Sequence, residues 1–334
     1  MIWLTWRRHW LALVVLGALL GVLAIWMALV THSFDVVAML HKANRCPNGG
    51  NINSACSPPE GEAQLIAVIL LALPCLIGLA IGAPLVAGEL HGHTNRLAWT
   101  QSISRTKWFV TKWLVVGVGL MVMSSLFQLP VSRYLGHVHV GFIGALFRGQ
   151  GGSSRIQPSL FNITGVVPIA YVLFAFSLGV ALGAVIRRTS WAVAATVVAY
   201  GAVTMVMVVA VRPNLMPETF VAVQTQVETP LSSWPTADQI PWDLGSGYRY
   251  ATGYQVPAGD PSANAAGRAC HMQANAPTPT RIDQCIADHH LQEGDFYQAT
   301  NHYWPLQWKE AAIYFGCSII LFGIGLWSVR RWRA

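Results

Sequence analysis

Charged side chains are scarce in this sequence. Asp, Glu, Lys and Arg make up 10% of its 334 residues, whereas 54% of the residues are hydrophobic and the mean hydropathy is +0.45. A soluble domain carries roughly 25% charged residues. The deficit excludes an ordinary soluble enzyme and indicates a protein that crosses a membrane several times.

The sequence also lacks a phosphate-binding loop. No Gly-x-x-x-x-Gly-Lys-Ser/Thr motif occurs, and that motif supplies the backbone amides that hold ATP phosphates in P-loop enzymes. Only four lysines are present, none of which follows a glycine: Lys42, Lys107, Lys112 and Lys309. We therefore expect the chain to hydrolyse no ATP and to carry no cofactor of its own.

Ionisable residues are missing from the interiors of the apolar runs. Such residues mark proton relays and ion pathways in membrane proteins, so an ion-driven transporter is disfavoured. No selectivity filter of a channel is visible. The histidine pairs His91/His93, His137/His139 and His289/His290 have no third ligand at a fitting spacing. We therefore predict no metal site.

What the sequence does contain is long apolar runs. Six of them are long enough to cross the hydrocarbon layer as helices, which takes about 20 residues. They are Trp10–Val30, Gln64–Ala87, Val110–Leu129, Ile163–Ile186, Trp191–Val211 and Ala311–Val329. The predicted fold class is an all-α integral membrane protein with six transmembrane helices.

The placement of charge predicts the orientation. With the N-terminus inside, eleven basic residues fall in cytoplasmic segments: Arg7, Arg8, Arg96, Arg105, Lys107, Lys112, Arg187, Arg188, Arg330, Arg331 and Arg333. Only one acidic residue, Glu89, accompanies them, and the other acids fall outside or at the edge. This asymmetry follows the positive-inside rule and predicts cytoplasmic N- and C-termini. The net charge of +7 therefore indicates a membrane rather than nucleic acid.

These spans divide the chain into segments. Residues 1–9 are basic and aromatic, and they fit either an interfacial helix on the inner leaflet or a basic flank of the first span. Residues 10–211 hold the first five spans, residues 308–334 the last span and a basic C-terminus. Between the spans lie outer loops 31–63 and 131–162, a cytoplasmic loop 88–109 and an irregular extracellular cap segment 212–307.

Four of the six cysteines lie in predicted outer loops, where disulfides persist. We predict the pairs Cys46–Cys56 and Cys270–Cys285, each of which closes a short loop. The alternative for these four residues is free thiols in a reducing compartment. Cys75 and Cys317 lie within spans and are expected to be free apolar side chains.

The loop between the second and third spans is the candidate functional site. It reads Glu89-Leu90-His91-Gly92-His93-Thr94-Asn95-Arg96-Leu97-Ala98-Trp99-Thr100-Gln101-Ser102, followed by Arg105, Lys107 and Lys112. A short polar element held between two spans stays close to the bilayer surface. It is therefore well placed to receive force or a signal from a soluble partner.

This loop resembles the membrane subunit of ABC-2-type exporters (type V exporter-like), in the form common in actinobacteria and related Gram-positive bacteria. The matching strings are Ala83–Ala87, Glu89, Thr94, Arg96–Ser102, Arg105, Trp108 and Lys112, then Gly165–Tyr171, Phe174–Phe176, Gly183, Ile186–Thr189 and Val211–Pro213. One position departs from the family, which usually has glycine directly before the threonine. Here His93 stands in that place and Gly92 comes one residue earlier.

The resemblance implies a permease that pairs with a second permease half, which we expect to be another copy of the chain. Each half would dock on a separate cytoplasmic ABC ATPase that binds ATP and Mg. The docking loop would present Glu89, His91, Gly92, Thr94, Arg96, Trp99 and Arg105. Of these, Glu89, Arg96 and Arg105 are expected to make polar contacts, the alternative being ordinary anchoring at the membrane surface.

The same resemblance implies export across a bacterial plasma membrane, in contact with membrane lipid. An apolar path between two permease halves suits a hydrophobic or amphipathic cargo such as a drug, a lipid or a peptide, and a drug cargo would mean multidrug resistance. Two other functions stay open. The chain could be a sensor or assembly protein that signals through its outer segment without transport, or a membrane enzyme that uses Asp288, His289 and His290.

Overall fold

The computed structural model describes seven stretches of the chain: residues 2–42, 60–91, 104–137, 155–222, 241–250, 261–273 and 279–331. Six helices in these stretches are long and apolar enough to cross a membrane, which confirms the predicted fold class. Spans 1 to 6 are Trp10–Val37, Gly61–Gly88, Arg105–Leu135, Val167–Ile186, Thr189–Asn214 and Thr300–Arg331.

The helices extend past the apolar runs at several ends. The α-helices are Ile2–Lys42, Glu60–Ile77, Ala83–His91, Arg105–His137, Pro158–Phe161, Val167–Ile186, Thr189–Val206, Pro261–Gln273, Pro279–Asp288 and Tyr303–Arg331. Two π-helical turns, Gly78–Gly82 and Met207–Val211, lie within spans 2 and 5. Two 3₁₀ turns, Arg212–Asn214 and Thr300–His302, flank the segment between spans 5 and 6.

The first helix differs from the sequence-based expectation. It runs without a break from Ile2 to Lys42, so residues 2–9 continue span 1 instead of forming a separate interfacial helix. The same helix takes up residues 31–42, the first part of the predicted outer loop 31–63. Apolar patterning marks only the part of a helix that lies in hydrocarbon. Backbone hydrogen bonding carries the helix further into polar sequence, because each added residue gains a bond to the turn before it.

Contacts along the chain define two compact units. The first contains residues 1–143, 161–206 and 307–334, and the second contains residues 144–160 and 207–306. In the first unit span 4 is the central helix. The protein buries 78% of the most apolar stretch of span 4, against 22–39% of the corresponding stretch of each other span. The other spans expose rows of Leu, Val and Ile, as expected of helices that face lipid.

The core of the first unit surrounds span 4. Its buried members are Leu13, Ile77, Leu85, Val86, Trp108, Phe109, Val116, Leu120, Val172, Leu173, Phe176, Val180, Ala184 and Val329. They come from five of the six spans. Aromatic rings fill the space between spans 3, 4 and 6, where Trp113 lies 4.8 Å from Phe322 and 6.5 Å from Phe176 between ring centroids.

The second unit contains a β-sheet that the sequence patterning did not predict. Strands β1 (Thr219–Ala222), β2 (Trp242–Tyr250) and β3 (Leu291–Gln298) pair antiparallel in the order β1–β3–β2. The helices Pro261–Gln273 and Pro279–Asp288 join β2 to β3. The prediction that residues 212–307 are irregular was therefore wrong for the part that the structure describes, whereas their role as an extracellular cap stays a prediction.

A disulfide joins the two helices of the second unit. Cys270 and Cys285 are bonded with an S–S distance of 2.01 Å, which confirms the predicted pair. The buried side chains around it include Tyr248, Ala263, Ile286 and Leu291, which form a small apolar core. Cys75 and Cys317 are free, as expected. The predicted pair Cys46–Cys56 lies outside the described residues.

Candidate coupling region

The structure describes the two ends of the predicted docking loop. The helix Ala83–His91 carries Glu89 and His91 on its last turn, and Arg105 is the first residue of the span 3 helix. Gly92, Thr94, Arg96 and Trp99 lie outside the described residues. The described part of the candidate site therefore consists of the helix that leads into residues 88–109 and the helix that follows them.

The chain enters this region through a π-helical turn. Gly78–Gly82 is wider than an α-helix, with the N–H of Ala83 bonded to the carbonyl of Gly78 five residues earlier. Pro84 follows directly and has no N–H, so the carbonyl of Ala80 cannot receive an ordinary helical bond from it. π-turns inside helices occur frequently at functional sites. The widened turn thus directly precedes the helix Ala83–His91, which leads into the predicted docking loop.

Four glycines bring the backbones of spans 2 and 4 together; we call them the glycine seam (Gly78, Gly82, Gly179 and Gly183). A Cβ atom on Gly78 would lie 2.5 Å from the carbonyl oxygen of Ala175, and one on Gly82 would lie 2.7 Å from that of Phe176. On the opposite helix, Cβ atoms on Gly179 and Gly183 would lie 2.5 Å and 2.7 Å from backbone oxygens of span 2. Small residues allow this approach, which is a common basis of helix association in membranes.

The helix beyond the seam is firmly packed. Leu85 is 4% exposed, and Ala83, Val86 and Ala87 are fully buried. Ala83 and Ala87 also cluster with buried Ala192 of span 5. Tightly packed interiors transmit displacement instead of absorbing it. A displacement of the helix Ala83–His91 would therefore reach spans 4 and 5 directly.

The chain leaves the region through a capped helix. The Ser104 side chain accepts a hydrogen bond from the N–H of Lys107 at 3.3 Å, which is the arrangement of a helix N-cap. One turn later Trp108 is buried, and the ammonium of Lys112 lies 4.3 Å from its ring centroid. This cation–π contact places the Lys112 ammonium against an aromatic face in a buried site near the start of span 3.

Basic residues gather at the span ends that the charge pattern places inside. Arg187 ends span 4 in a left-handed conformation with φ of 62°, and its N–H bonds to the carbonyl of Gly183. Arg330 of span 6 donates to the hydroxyl of Thr106 at 3.0 Å, which ties spans 3 and 6 together. Arg331 stacks 4.3 Å from the ring of Trp327. The contacts fix the ends of spans 3, 4 and 6.

The sequence pattern did not reveal a polar cluster near the starts of spans 4 and 6, away from their basic C-terminal ends. The side-chain oxygen of Gln307 accepts the N–H groups of Val166 and Val167, and its amide donates to the carbonyls of Phe161 and Thr164. One side chain thereby satisfies four backbone groups at the start of span 4. The partners lie 140 to 146 residues away in the sequence, so no local pattern could reveal them.

A buried carboxyl belongs to the same end of span 6. The Tyr171 hydroxyl lies 2.5 Å from Oε1 of Glu310 and 3.1 Å from Oδ1 of Asn162, and all three residues are buried. The predicted span began at Ala311, one residue too late to include this acid. The available signal was the spacing of Gln307 and Glu310, which places both on one face of a helix.

The two cysteines of the disulfide and His289 bring their ligand atoms within 4.8 Å of one another. Both sulfurs are already joined to each other, so they do not offer thiolates to an ion. His289 and His290 are exposed at the end of the helix Pro279–Asp288. Among the described residues, no nucleophile is hydrogen-bonded to either ring, which gives no support to the membrane-enzyme alternative.

Comparison with known proteins supplies the family. A family model described as ABC-2 membrane transporter related matches residues 10–212, which is more than half of the chain. No curated protein and no solved structure matches the sequence. The matched region covers spans 1 to 4, nearly all of span 5, the glycine seam and the predicted docking loop. The chain belongs to the ABC-2 membrane transporter related family, and it is a multi-pass membrane permease.

Proposed function

We propose that this permease is the membrane subunit of an ATP-driven exporter that is energised by a separate cytoplasmic ABC ATPase. ABC-2 permeases in general work with an ATPase on a partner chain. The proposed complex contains two permease halves, taken here as two copies of this chain, and two ATPases that carry ATP and Mg. Its cargo is a hydrophobic or amphipathic molecule such as a drug, a lipid or a peptide.

The observation that carries this proposal is the glycine seam. The helix that enters residues 88–109 continues directly from the seam, where spans 2 and 4 touch backbone to backbone. Such contacts leave no side chain that could yield between the two helices. Movement of the docking loop against a partner would therefore displace span 4, the most buried helix of the membrane unit.

The charge of the proposed docking face supports an acidic or polar partner. Arg105, Arg187, Arg188, Arg330 and Arg331 stand at the ends of spans 3 to 6 on the side predicted to be cytoplasmic. With Arg96 in the loop, this face offers donors to carboxylates of a soluble protein, and Glu89 adds one carboxylate that accepts hydrogen bonds. ATP binding to that partner changes the permease only if the two permease states dock on it differently.

Co-purification tests the proposal. Tagged protein from native membranes in mild detergent is expected to bring down a P-loop ATPase and to show ATP turnover. The double variant Glu89→Ala with Arg96→Ala is expected to lose both the partner and the turnover. A matched double variant in the second unit, Glu293→Ala with Arg268→Ala, changes the same residue types at exposed positions and is expected to retain both.

Two outcomes would contradict the proposal. Monodisperse wild-type protein with no ATPase partner and no turnover excludes an ATP-driven transporter and favours a sensor or assembly role. If the matched double variant loses the partner as completely as the Glu89→Ala, Arg96→Ala variant, the loss is not specific to residues 88–109 and their docking role is contradicted. Reconstituted complexes separate transport from sensing, because only transport moves cargo across the liposome membrane when ATP is added.

A further inference from the structure

A cavity of about 420 Å³ lies between spans 1 and 3. It is close to the C-terminal ends of both spans, at Val37 and Leu135. Its volume falls within the range of about 300–1,000 Å³ that is usual for small-molecule sites. The lining consists of Ala24, Met27, Ala28, Thr31, His32, Asp35, Pro130, Arg133 and Tyr134. The cavity lies near the end of span 3, whereas the predicted docking loop precedes the start of that span, and it belongs entirely to the first unit.

The lining changes from apolar to polar along the helix axes. On span 1 the contributing residues recur at helical spacing, so they form one stripe. Ala24, Met27 and Ala28 come first along this stripe, and Thr31, His32 and Asp35 follow toward the end of the span at Val37. On span 3 the apolar Pro130 likewise precedes Arg133 and Tyr134 near the span's end. The cavity therefore has an apolar end deeper in the membrane and a polar end near its surface.

The polar end carries both signs of charge. Asp35 on span 1 contributes a carboxylate, and Arg133 on span 3 contributes a guanidinium, which suits phosphate through paired N–H donors. The Thr31 hydroxyl donates to the carbonyl of Met27, and the Tyr134 hydroxyl donates to that of Ala63. Their single hydrogens are thus in use, so both oxygens offer only lone pairs. The lining residues therefore include three that carry an oxygen acceptor, Asp35, Thr31 and Tyr134, together with the cationic Arg133.

This set of groups matches a zwitterion better than a simple anion. A phosphate pairs with Arg133, and an ammonium finds acceptors in Asp35, Thr31 and Tyr134. A ligand that carried only negative charge would bring no cation of its own to the Asp35 carboxylate. The apolar end in turn suits a hydrocarbon chain that lies beside Ala24 and Met27. A bilayer lipid with an ethanolamine phosphate headgroup combines all of these features.

We propose that this cavity is a binding site for a membrane lipid whose headgroup carries both phosphate and a primary ammonium. Arg133 holds the phosphate, and Asp35 with the Thr31 and Tyr134 oxygens holds the ammonium. The site does not depend on the proposed ATPase partner or on transport, since both helices and all lining residues belong to this chain.

Native mass spectrometry of the purified full-length protein tests the site. Detergent-solubilised protein is offered an equimolar mixture of dioleoyl phosphatidylethanolamine and dioleoyl phosphatidylglycerol. The wild type is expected to bind phosphatidylethanolamine in preference, by about threefold to tenfold, as one partly exposed charged contact allows. Asp35→Asn is expected to abolish the preference while phosphatidylglycerol still binds. Arg133→Gln is expected to weaken both lipids, and Arg133→Lys to restore most of the binding.

Matched variants outside the cavity serve as controls. Asp288→Asn and Arg155→Gln make the same chemical changes in the second unit and are expected to leave the lipid preference intact. The melting temperature of every variant is measured in lipid-free detergent, and the conservative variants Arg133→Lys and Asp35→Glu replace any that does not fold.

Three results would overturn the inference. Equal binding of the two lipids by the wild type would show that the site does not select a zwitterionic headgroup. An unchanged preference in Asp35→Asn removes the assigned ammonium contact. Displacement of the lipid by water-soluble phosphoethanolamine at the same concentration as the lipid shows that the apolar end takes no part, so that the ligand is a soluble headgroup and not a lipid.

Discussion

A Cβ atom on Gly179 would lie 2.5 Å from the carbonyl oxygen of Gly78, closer than real Cβ atoms approach a backbone oxygen. The two glycines belong to spans 2 and 4, and neither helix can rotate to present another residue at this point without losing its core contacts. The contact explains why a helix that leads to the docking loop also packs on the most buried helix of the unit.

Gly179→Ala is expected to destabilise the permease by about 1–3 kcal/mol, the usual cost of an added methyl in a packed core. Thermal melting in detergent measures the effect. The control is Gly201→Ala in span 5, where a Cβ atom would meet nothing within 4 Å. Alanine there gains helix propensity and is expected to leave the melting temperature unchanged or slightly raised. Equal melting temperatures of the two variants would contradict close backbone packing at the seam.

Gln307→Leu is expected to lower the melting temperature strongly. The variant leaves four backbone groups near the start of span 4 without the amide that now pairs them, and each unpaired buried group costs about 1–3 kcal/mol. Gln307→Glu retains the acceptor oxygen and is expected to be less harmful. Gln284→Leu changes an exposed glutamine in the second unit and provides the control. The expectation fails if Gln307→Leu melts at the temperature of Gln284→Leu.

The disulfide gives a direct test of orientation. In intact cells a membrane-impermeant maleimide is expected to label Cys270 and Cys285 only after mild reduction, because both sulfurs are bonded and the segment is predicted to lie outside. The double variant Cys270→Ser with Cys285→Ser is expected to lose the labelling of this segment, read by mass spectrometry of its peptides because the predicted outer pair Cys46–Cys56 is also labelled after reduction. It is expected to lose about 3 kcal/mol of stability, the usual entropic effect of closing a loop of about 15 residues. Labelling only after the cells are lysed would place the segment in the cytoplasm and contradict the predicted topology.

The stability of the second unit is expected to depend on pH through Glu218. Burial raises the pKa of its carboxyl above the ordinary value of 4.5, and its Oε1 is buried without a hydrogen bond among the described residues. A raised folded pKa means that folding favours the protonated form. The stability it contributes is complete below the unfolded pKa and is lost as the pH rises through the folded one.

Glu218→Gln removes this titration because the amide stays neutral. The variant is therefore expected to melt at a higher temperature than the wild type at pH 8, with the difference shrinking as the pH is lowered toward 4.5. Melting curves at several pH values measure it, with exposed Asp288→Asn as the control. A constant difference between Glu218→Gln and the wild type at every pH would exclude Glu218 as the source.

The sequence determined the number and approximate position of the spans. A backbone in hydrocarbon must satisfy its own hydrogen bonds, so a run of about 20 apolar residues has only a helix available to it. The pairing of Cys270 with Cys285 was also accessible, because both lie in one short polar segment. The predicted docking loop was identified through its resemblance to a family, and the match to residues 10–212 confirms the ABC-2 family, whereas the docking role stays a prediction.

The ends of the helices and the β-sheet could not be predicted from the sequence pattern. Span 1 continues to Lys42 through polar residues, because hydrogen bonding within the helix does not require apolar side chains. The strands β1 and β3 pair across more than 70 residues, Phe220 with Phe296 among them. Short strands rich in glycine and polar residues carry a weak pattern, so their partner decides whether they form.

Tertiary structure alone decided which polar and small residues matter. Gln307 and Glu310 look like ordinary residues at the edge of an apolar run, and Gly78 and Gly179 look like ordinary glycines. Their roles come from partners on other spans, which the order of residues along the chain does not specify. Composition and period determine that a helix crosses the membrane, whereas the contact of one helix with another depends on the shape and the hydrogen-bonding groups of both surfaces.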